Sequence, residues 1–482
     1  MQVSFGPLDE AEVNIIQLLA SDKPESEKRG ALVEEILRRV ALKTLRDTGE
    51  ILYYDNDSGV YKYGGEERIR EELFVLGAYE INNSRRGEVI NTIKDKTYID
   101  RDKFDADPDT LNLKNGILSI STGEFDDHDS KYLCLSQLPV EYNTRTSCPR
   151  FVRFLQETIE PEHIGIISKL LGYLLLRKAN YEKAFMLIGE GSNGKSTLIK
   201  AMIALLGKEN CSNRSLQDLT SDRFAKADLY GKKANFYLDL PSRRIVESGD
   251  FKILVSGDRT SGQRKHQQPF EFENYAKLVF SANQIQEVED KSYAYYRRWV
   301  IIPFNRTFEG DEKDEDLIEK LTTEYELSGI LNLALKGLKK LKAERGFRDI
   351  DISDIRRQYE MGASRIKSFI EEKCIREPNN EGLSIESTKL REAYRKYCRE
   401  QGTSFFDEKK FGEELKALGV IHKQKMVKKK RTYYDFGIQL KEHGLLNSLD
   451  KLTTIPVYTE SNNTEKVAVD SPKELSNTGD TV

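Results

Sequence analysis

The sequence predicts an α/β protein: a helix-covered sheet in the middle of the chain, an α+β region before it and a small helix-and-hairpin unit after it. Three observations carry this. Apolar strand-like segments, Ala184 to Ile188, Ala234 to Leu238, Ala276 to Phe280 and Trp299 to Pro303, alternate with polar or helical stretches. The first runs directly into Gly189-Glu190-Gly191-Ser192-Asn193-Gly194-Lys195-Ser196, a G-x-x-x-x-G-K-[ST] loop, with a helix-competent stretch from Thr197 to Leu206 behind it. On both sides of this block, apolar residues recur at helical or strand spacing.

Length and composition bound the reading. The chain has 482 residues, which suggests roughly three domains. Lys+Arg number 76 and Asp+Glu 80, a net charge of -4, so any contact with nucleic acid requires locally concentrated positive charge. The strongly apolar stretch Leu170 to Leu176 is far short of the roughly 20 residues of a membrane helix. The N-terminus lacks a charged-then-apolar leader. Membrane and secreted readings are therefore set aside, and a cytoplasmic location is expected. Cys134, Cys148, Cys211, Cys374 and Cys398 form no CxxC pair, which points to reduced thiols. The five histidines are scattered and spell no zinc site.

In chain order, residues 1–50 read as helices, with Val13, Ile16, Leu19 and then Leu32, Ile36, Val40 at helical spacing. Ile51 to Tyr54 and Val60 to Tyr63 flank a polar turn ending in Gly59, a hairpin, and 64–100 is helical again, so 1–104 forms one N-terminal region. A small α+β domain, 105–160, contains short apolar pieces with turns at Asn115-Gly116 and Thr122-Gly123. The sheet-bearing domain spans 161–345 and closes with a charged amphipathic helical region. A linker, 346–382, contains Pro378-Asn379-Asn380. The unit 383–440 has a helix over Ser387 to Arg399 and a second, N-capped by Asp407, carrying Phe411, Leu415 and Leu418. Strand-like pieces at Val420-Ile421 and Tyr433 to Ile438 flank a basic stretch, the order of a winged helix. The tail, 441–482, is rich in Ser, Thr, Asn and Glu and is expected to be disordered.

The chemistry concentrates in five places. In the glycine loop, backbone N–H groups face phosphate oxygens and the helix N-terminus adds its positive end. Gly189, Gly191, Ser192, Asn193, Gly194 and Thr197 would line the phosphates. Lys195 would reach the β- and γ-phosphates of ATP, and Ser196 would ligate Mg²⁺. Asp239 ends an apolar strand and suits the metal. Leu240 stands where a second acid would activate water, so the water-activating residue is open. Asn283, at the tip of a third strand, suits a γ-phosphate sensor. Arg297 and Arg298 precede the last strand as candidate trans-acting fingers. Between Asp239 and Asn283, the loop Ser256 to Phe270 carries Arg264, Lys265 and His266, suited to DNA phosphates. Lys423, Lys425, Lys428, Lys429, Lys430 and Arg431, followed by Tyr433 and Tyr434, make a second DNA-contacting stretch. Asp105-x-Asp107 and Asp55-x-Asp57 sit in turn-like contexts and read as solvated turn acids rather than a primase metal pair.

The ordered set GEGSNGKST (189–197), NFYLDLP (235–241), SGDRTSGQRKHQQPFEF (256–272), LVFSANQI (278–285) and YRRWVIIPF (296–304) resembles superfamily 3 helicases, the helicase half of phage and plasmid primase-helicases, related to poxvirus-type replicative helicases. Residues 111–143 and 148–159 resemble the domain that precedes the ATPase there. The resemblance implies an AAA+-like P-loop ATPase core, a hexameric ring, ATP hydrolysis at subunit interfaces and 3′ to 5′ translocation on single-stranded DNA. It implies forked DNA as substrate, a separate primase as partner, and Lys265 and His266 at the tip of a moving pore hairpin. The competing readings are a packaging or loading motor and a replication initiator that uses ATP only as a switch. The missing second acid keeps the switch open.

Overall fold

The computed structural model describes residues 10–77, 81–189, 191–240, 248–283, 285–286, 288–348, 352–353, 355, 365–378, 380–400, 408–427 and 430–441. Asp407 and the tail from 442 onward lie outside them. The chain divides into two compact units, Met1–Ser364 and Arg365–Val482.

The first unit opens with helices α1 (Glu10–Ala20) and α2 (Glu25–Arg39), then strands β1 (Leu42–Leu45), β2 (Ile51–Asp55) and β3 (Val60–Tyr63), helices α3 (Gly65–Val75) and α4 (Asn83–Thr97), and β4 (Tyr98–Ile99). The strands form a sheet in the order β3-β2-β1-β4. The expected hairpin is β2–β3. The expected helicity through residue 50 stops short, because Leu42–Leu45 pairs antiparallel with β2 and parallel with β4. Thr44 at its centre is buried and shares a 2.7 Å hydroxyl contact with Thr97. Next come β5 (Thr110–Leu113), β6 (Gly116–Ser119) and β7 (Phe125–Asp126), a three-stranded sheet, then α5 (Pro149–Thr158) and α6 (Pro161–Leu175), each with proline in its first turn.

The central sheet follows: β8 (Ala184–Ile188), α7 (Lys195–Leu206), β9 (Cys211–Ser212), α8 (Leu216–Ser221), α9 (Arg223–Ala227), β10 (Ala234–Tyr237), α10 (Gly249–Ser256), the hairpin β11 (Arg259–Gly262) and β12 (Phe270–Glu273), β13 (Lys277–Ala282), α11 (Tyr293–Tyr296), β14 (Trp299–Pro303), α12 (Leu317–Leu321) and α13 (Glu324–Glu344). Five strands lie in the order β14-β8-β13-β10-β9, all parallel. Both faces are covered, which is why the strands read as unbroken apolar runs. Phe185, Leu187, Val279 and Ile302 pack on one side with Leu170 of α6, Leu198 of α7 and Leu331 of α13. Ala184, Met186, Phe280 and Trp299 pack on the other with Phe251 and Tyr295.

Two buried lysines join α6 to the sheet. Lys233 precedes β10 and Lys277 opens β13; their Nζ atoms donate to the carbonyls of Leu175 and Leu176. These carbonyls at the end of α6 would otherwise lack partners. Burial pushes the Lys233 ammonium down to about 7. Asp105 departs from the expected solvated turn acid. It takes a left-handed φ of 52° and its carboxylate lies 2.8 Å from buried Arg177, a tie between the small β region and the end of α6. Asp107 does accept from its own turn, from the Asp109 N–H at 2.9 Å.

The second unit contains α14 (Arg365–Lys373), β15 (Cys374–Arg376), β16 (Ser384–Glu386), α15 (Ser387–Glu400), α16 (Glu408–Ala417), β17 (Ile421–Val427), β18 (Lys430–Phe436) and β19 (Ile438–Leu440). It begins inside the expected linker, because Ile366, Phe369 and Ile370 of α14 pack with Leu390, Tyr394, Phe411 and Leu415. The basic stretch forms most of β17 and the first residues of β18, which pair antiparallel.

Helices α6 and α13 approach closely through small residues. A Cβ on Gly337 would come within 1.9 Å of the Ser168 carbonyl oxygen, while one on Gly165 of α6 would meet nothing within 4 Å. Gly337→Ala is expected to cost about 1–3 kcal/mol by overpacking, and Gly165→Ala to be neutral or slightly stabilising. Thermal denaturation of the two variants measures both.

Candidate functional site

The glycine loop leaves β8 at the C-terminal edge of the sheet. Phe304 N–H donates to the Ile188 carbonyl at 2.7 Å, and Gly189 N–H to that of Ala282 at 3.3 Å. A Cβ on Gly189 would come within 2.3 Å of the Phe304 carbonyl oxygen, so only glycine suits that exit. Ser192 (φ 59°) and Gly194 (φ 90°) turn the chain through left-handed backbone into α7, a conformation that makes anion-binding concavities from successive N–H groups. Asn193 and Lys195 are buried. Lys195 Nζ donates to the Gly189 carbonyl and, at 2.9 Å, to Asn193 Oδ1, while Asn193 Nδ2 reaches the Phe304 carbonyl at 3.3 Å. The ammonium is thus held across the loop by the loop's own oxygens. Ser196 is exposed and Thr197 half-buried in the first turn of α7; Gly191 is exposed, and Glu190 lies outside the described residues.

Register brings two more predicted residues to this edge. Tyr237 pairs with Phe280, and Phe280 with Met186. Counting onward, Asp239 comes level with Ala282 and Ile188, and Asn283 with Gly189. β10 ends at Tyr237, earlier than expected, yet Leu240 N–H still donates to the Ser281 carbonyl at 2.9 Å. Asp239 and Asn283 are both exposed, and β13 with Asn283 lies between the loop strand and the Asp239 strand. Leu240, in place of a second acid, is a buried core residue. Among the described residues no three His, Cys, Asp or Glu side chains form a metal cage. A Mg²⁺ here would take Ser196 and Asp239 together with phosphate and water oxygens, which suits this ion.

A cavity of about 600 Å³ opens beside the loop. Its walls include Arg153, Phe154 and Thr158 of α5, Ser192 and Thr197, and Phe308. Phe308 N–H donates to the Ser192 carbonyl at 2.9 Å, strapping the segment after β14 to the loop. Three distant segments build this cavity, and no motif in the sequence announced it.

The remaining candidates of the first unit lie at the opposite edge. Trp299 pairs with Ala184, so Arg297 and Arg298 sit where β14 begins, roughly 15 Å of strand away from the loop edge. The two differ. Arg298 is buried, donates to the Ala294 carbonyl and to Ser256 Oγ at 2.7 Å, and its pKa is lowered by burial and by the charge of Arg297. Arg297 is half-buried and pairs with Glu182 at 2.7 Å. The hairpin β11–β12 also rises from this edge, just before β13. Its turn closes with Gln267 N–H donating to the Arg264 carbonyl at 3.0 Å, and Arg264, Lys265 and His266 (φ 64°) are all exposed. Its base packs Phe270 and Phe272 against Tyr230.

In the second unit, Lys423 pairs across the hairpin with Tyr434 and Met426 with Arg431. Lys425 Nζ lies 5.7 Å over the Tyr434 ring, and Arg431 is exposed. Lys428 and Lys429 lie outside the described residues; Lys430 opens β18.

Comparison with known proteins finds partial matches. Residues 24–160 match the family described as D5 N terminal like, and residues 187–298 match a family of unknown function, DUF5906. A protein of Acanthamoeba polyphaga mimivirus named "Putative helicase L207/L206" is 22% identical over 274 residues, 54% of this chain and 28% of that protein. These matches support a relation to phage and viral primase-helicases. It spans little more than a quarter of the length of the mimivirus relative. Two apo structures of the NrS-1 C terminal region are similar over 84% and 85% of the chain and 98% of theirs, at 13% and 12% identity and TM-scores of 0.46 and 0.47. The second match contains the loop, Asp239, the hairpin, Asn283 and both arginines. The first ends just beyond α5, so the cavity is bordered by both. Among the described residues no helix is long and apolar enough to cross a membrane.

The burial of Arg298 has a measurable consequence. Arg298→Ala is expected to destabilise the fold by about 1–3 kcal/mol through unpaired partners, and Arg297→Ala by about 1 kcal/mol or less, as for a solvent-accessible ion pair. Thermal melts of the two variants separate them.

Proposed function

We propose that the chain is an ATP-dependent replicative DNA helicase of a virus, phage or plasmid, working as a hexameric ring on single-stranded DNA. The observation that carries this is the shared edge: the glycine loop, Asn283 and Asp239 stand in that order at the C-terminal ends of adjacent parallel strands, with a cation-tipped hairpin at the far edge of the same sheet. The order β14-β8-β13-β10-β9, with the loop strand between β14 and β13, supports an AAA+-like P-loop ATPase core.

In this reading the loop N–H groups and Lys195 take the triphosphate, and Lys195 exchanges its internal oxygen partners for phosphate oxygens. Ser196 and Asp239 hold Mg²⁺, which supplies charge neutralisation when bound. Asn283 orients the attacking water or touches the γ-phosphate. The cavity accommodates the nucleoside, with Phe154 and Phe308 as apolar walls. Arg297, not the inward-tied Arg298, is the finger offered to a neighbouring subunit. Lys265 and His266 grip DNA phosphates, which need charge but no sequence reading. The second unit is a winged-helix-like module whose wing, β17–β18, brings Lys423, Lys425 and Arg431 to duplex phosphates, with Lys428, Lys429 and Lys430 as further candidate contacts of the same basic stretch. A separate primase is the expected partner, in the host cytoplasm where the element replicates. One observation favours the initiator-switch reading: buried Leu240 leaves the second acid's place without a carboxylate.

Forked-DNA unwinding tests the proposal. Wild-type protein is expected to unwind; Lys265→Ala is expected to lose at least tenfold in unwinding while keeping its DNA-independent ATPase. Tight ATP binding without unwinding by wild type would favour the switch. Phe308→Ala is expected to raise the KM for ATP by roughly 3- to 10-fold with little change in kcat, as loss of one aromatic wall implies; steady-state kinetics measures it.

A further inference from the structure

The hairpin β17–β18 of the second unit presents two faces of different chemistry. Register and alternation put His422, Gln424 and Met426 of β17 on one face with Arg431, Tyr433 and Asp435 of β18. Lys423 and Lys425 lie on the other face with Thr432 and Tyr434. On that second face Lys423 Nζ is tied to Glu381 at 2.7 Å, while Lys425 Nζ stands over the Tyr434 ring.

The first face is built around Tyr433. Its ring stacks flat on His422, with centroids 5.0 Å apart and planes 4° from parallel. His422 is itself anchored, because its Nδ1 lies 2.7 Å from the carboxylate of buried Asp435. The Tyr433 ring is therefore held in place and loses little further conformational freedom when something stacks on it. With one face on His422, the residue is still 53% exposed, so the opposite face is open. Met426 is its diagonal neighbour across the ladder and is 64% exposed. Adjacent open apolar side chains mark a binding surface, which scattered ones do not.

The charge around this pair is of one sign. From Lys423 to Tyr434 the sequence holds six cations and no carboxylate. Lys425 and Arg431 are exposed, and no ion pair ties either of them among the described residues. We propose that this hairpin binds a junction between duplex and single-stranded DNA: the first unpaired base stacks on Tyr433 beside Met426, and Lys425 and Arg431 take the flanking phosphates. The proposal rests on the winged-helix reading and deepens it, since contact with duplex phosphates needs neither an open ring nor an open thioether. A base offers a free π-face only where pairing has ended, and there the phosphates still need cations alongside.

The test uses the full chain carrying Lys265→Ala, so that the hairpin of the first unit adds little. Anisotropy over a range of salt compares a labelled blunt duplex with the same duplex bearing a short single-stranded tail. This parent is expected to prefer the tailed duplex by about fivefold or more, as one stacked base implies. Tyr433→Ala is expected to abolish the preference at unchanged salt slope, because no charge is removed. Tyr433→Leu, which keeps an apolar strand residue without a π-face, is expected to match it, and Tyr433→Phe to keep the preference. Arg431→Ala is expected to weaken both duplexes and to lower the salt slope by about 1. With 2-aminopurine as the first unpaired base, its fluorescence is expected to be quenched by the parent and by Tyr433→Phe but not by Tyr433→Leu. No preference in the parent, or a preference that survives Tyr433→Ala and Tyr433→Leu, overturns the proposal; weaker duplex binding by Arg431→Ala then leaves the winged-helix reading standing. Failure of the parent to bind either duplex overturns the winged-helix reading and this proposal with it.

Discussion

The parallel ladder joining β10, β13, β8 and β14 is the constraint on which the rest depends. Side-chain chemistry chooses the residues, but main-chain register decides that they meet. Phe280 pairs with both Tyr237 and Met186, so three chain segments separated by some fifty residues each end at one level. Slipping any strand by two residues would move its terminal polar group by about 7 Å and dissolve the cluster. Burial on both faces, with the Phe251–Trp299 stack at 4.7 Å on one side, makes such a slip costly.

The same ladder separates two kinds of work. The phosphate-suited edge holds Lys195, Ser196, Asp239 and Asn283. The opposite edge holds the hairpin and Arg297. β13 links them: Asn283 follows its last residue, and the hairpin precedes its first. The junction is pinned by buried Asn274, whose Nδ2 donates to the Leu254 carbonyl at 2.8 Å and to that of Ala276 at 3.1 Å. In the proposed motor, a stiff strand of this kind lets a change at the γ-phosphate reach DNA-gripping cations at its far end.

Much of this was legible in the sequence because it is written in local patterns. The four long strands announced themselves as apolar runs, the loop by its glycines, and the hairpin β2–β3 by its turn. What escaped depends on distant partners. β9 is two residues long, Cys211–Ser212, and exists only as a pairing with β10. Leu42–Leu45 has no period of its own and becomes a strand through β2 and β4. Asp105 sits among turn residues but finds Arg177 far along the chain. The cavity beside the loop draws Phe154 and Phe308 from either side of the core, and α14 joins the C-terminal unit through three apolar residues within an otherwise polar stretch. The difference between Arg297 and Arg298 likewise appears only when Glu182 and Ser256 are in place.

The most direct measurement is steady-state ATP turnover with and without single-stranded DNA, for wild type and Lys195→Ala. A DNA-translocating motor gives strong stimulation by DNA in wild type and none in the variant. Tight ATP binding with negligible turnover, with or without DNA, would contradict the motor and leave a nucleotide-switched initiator.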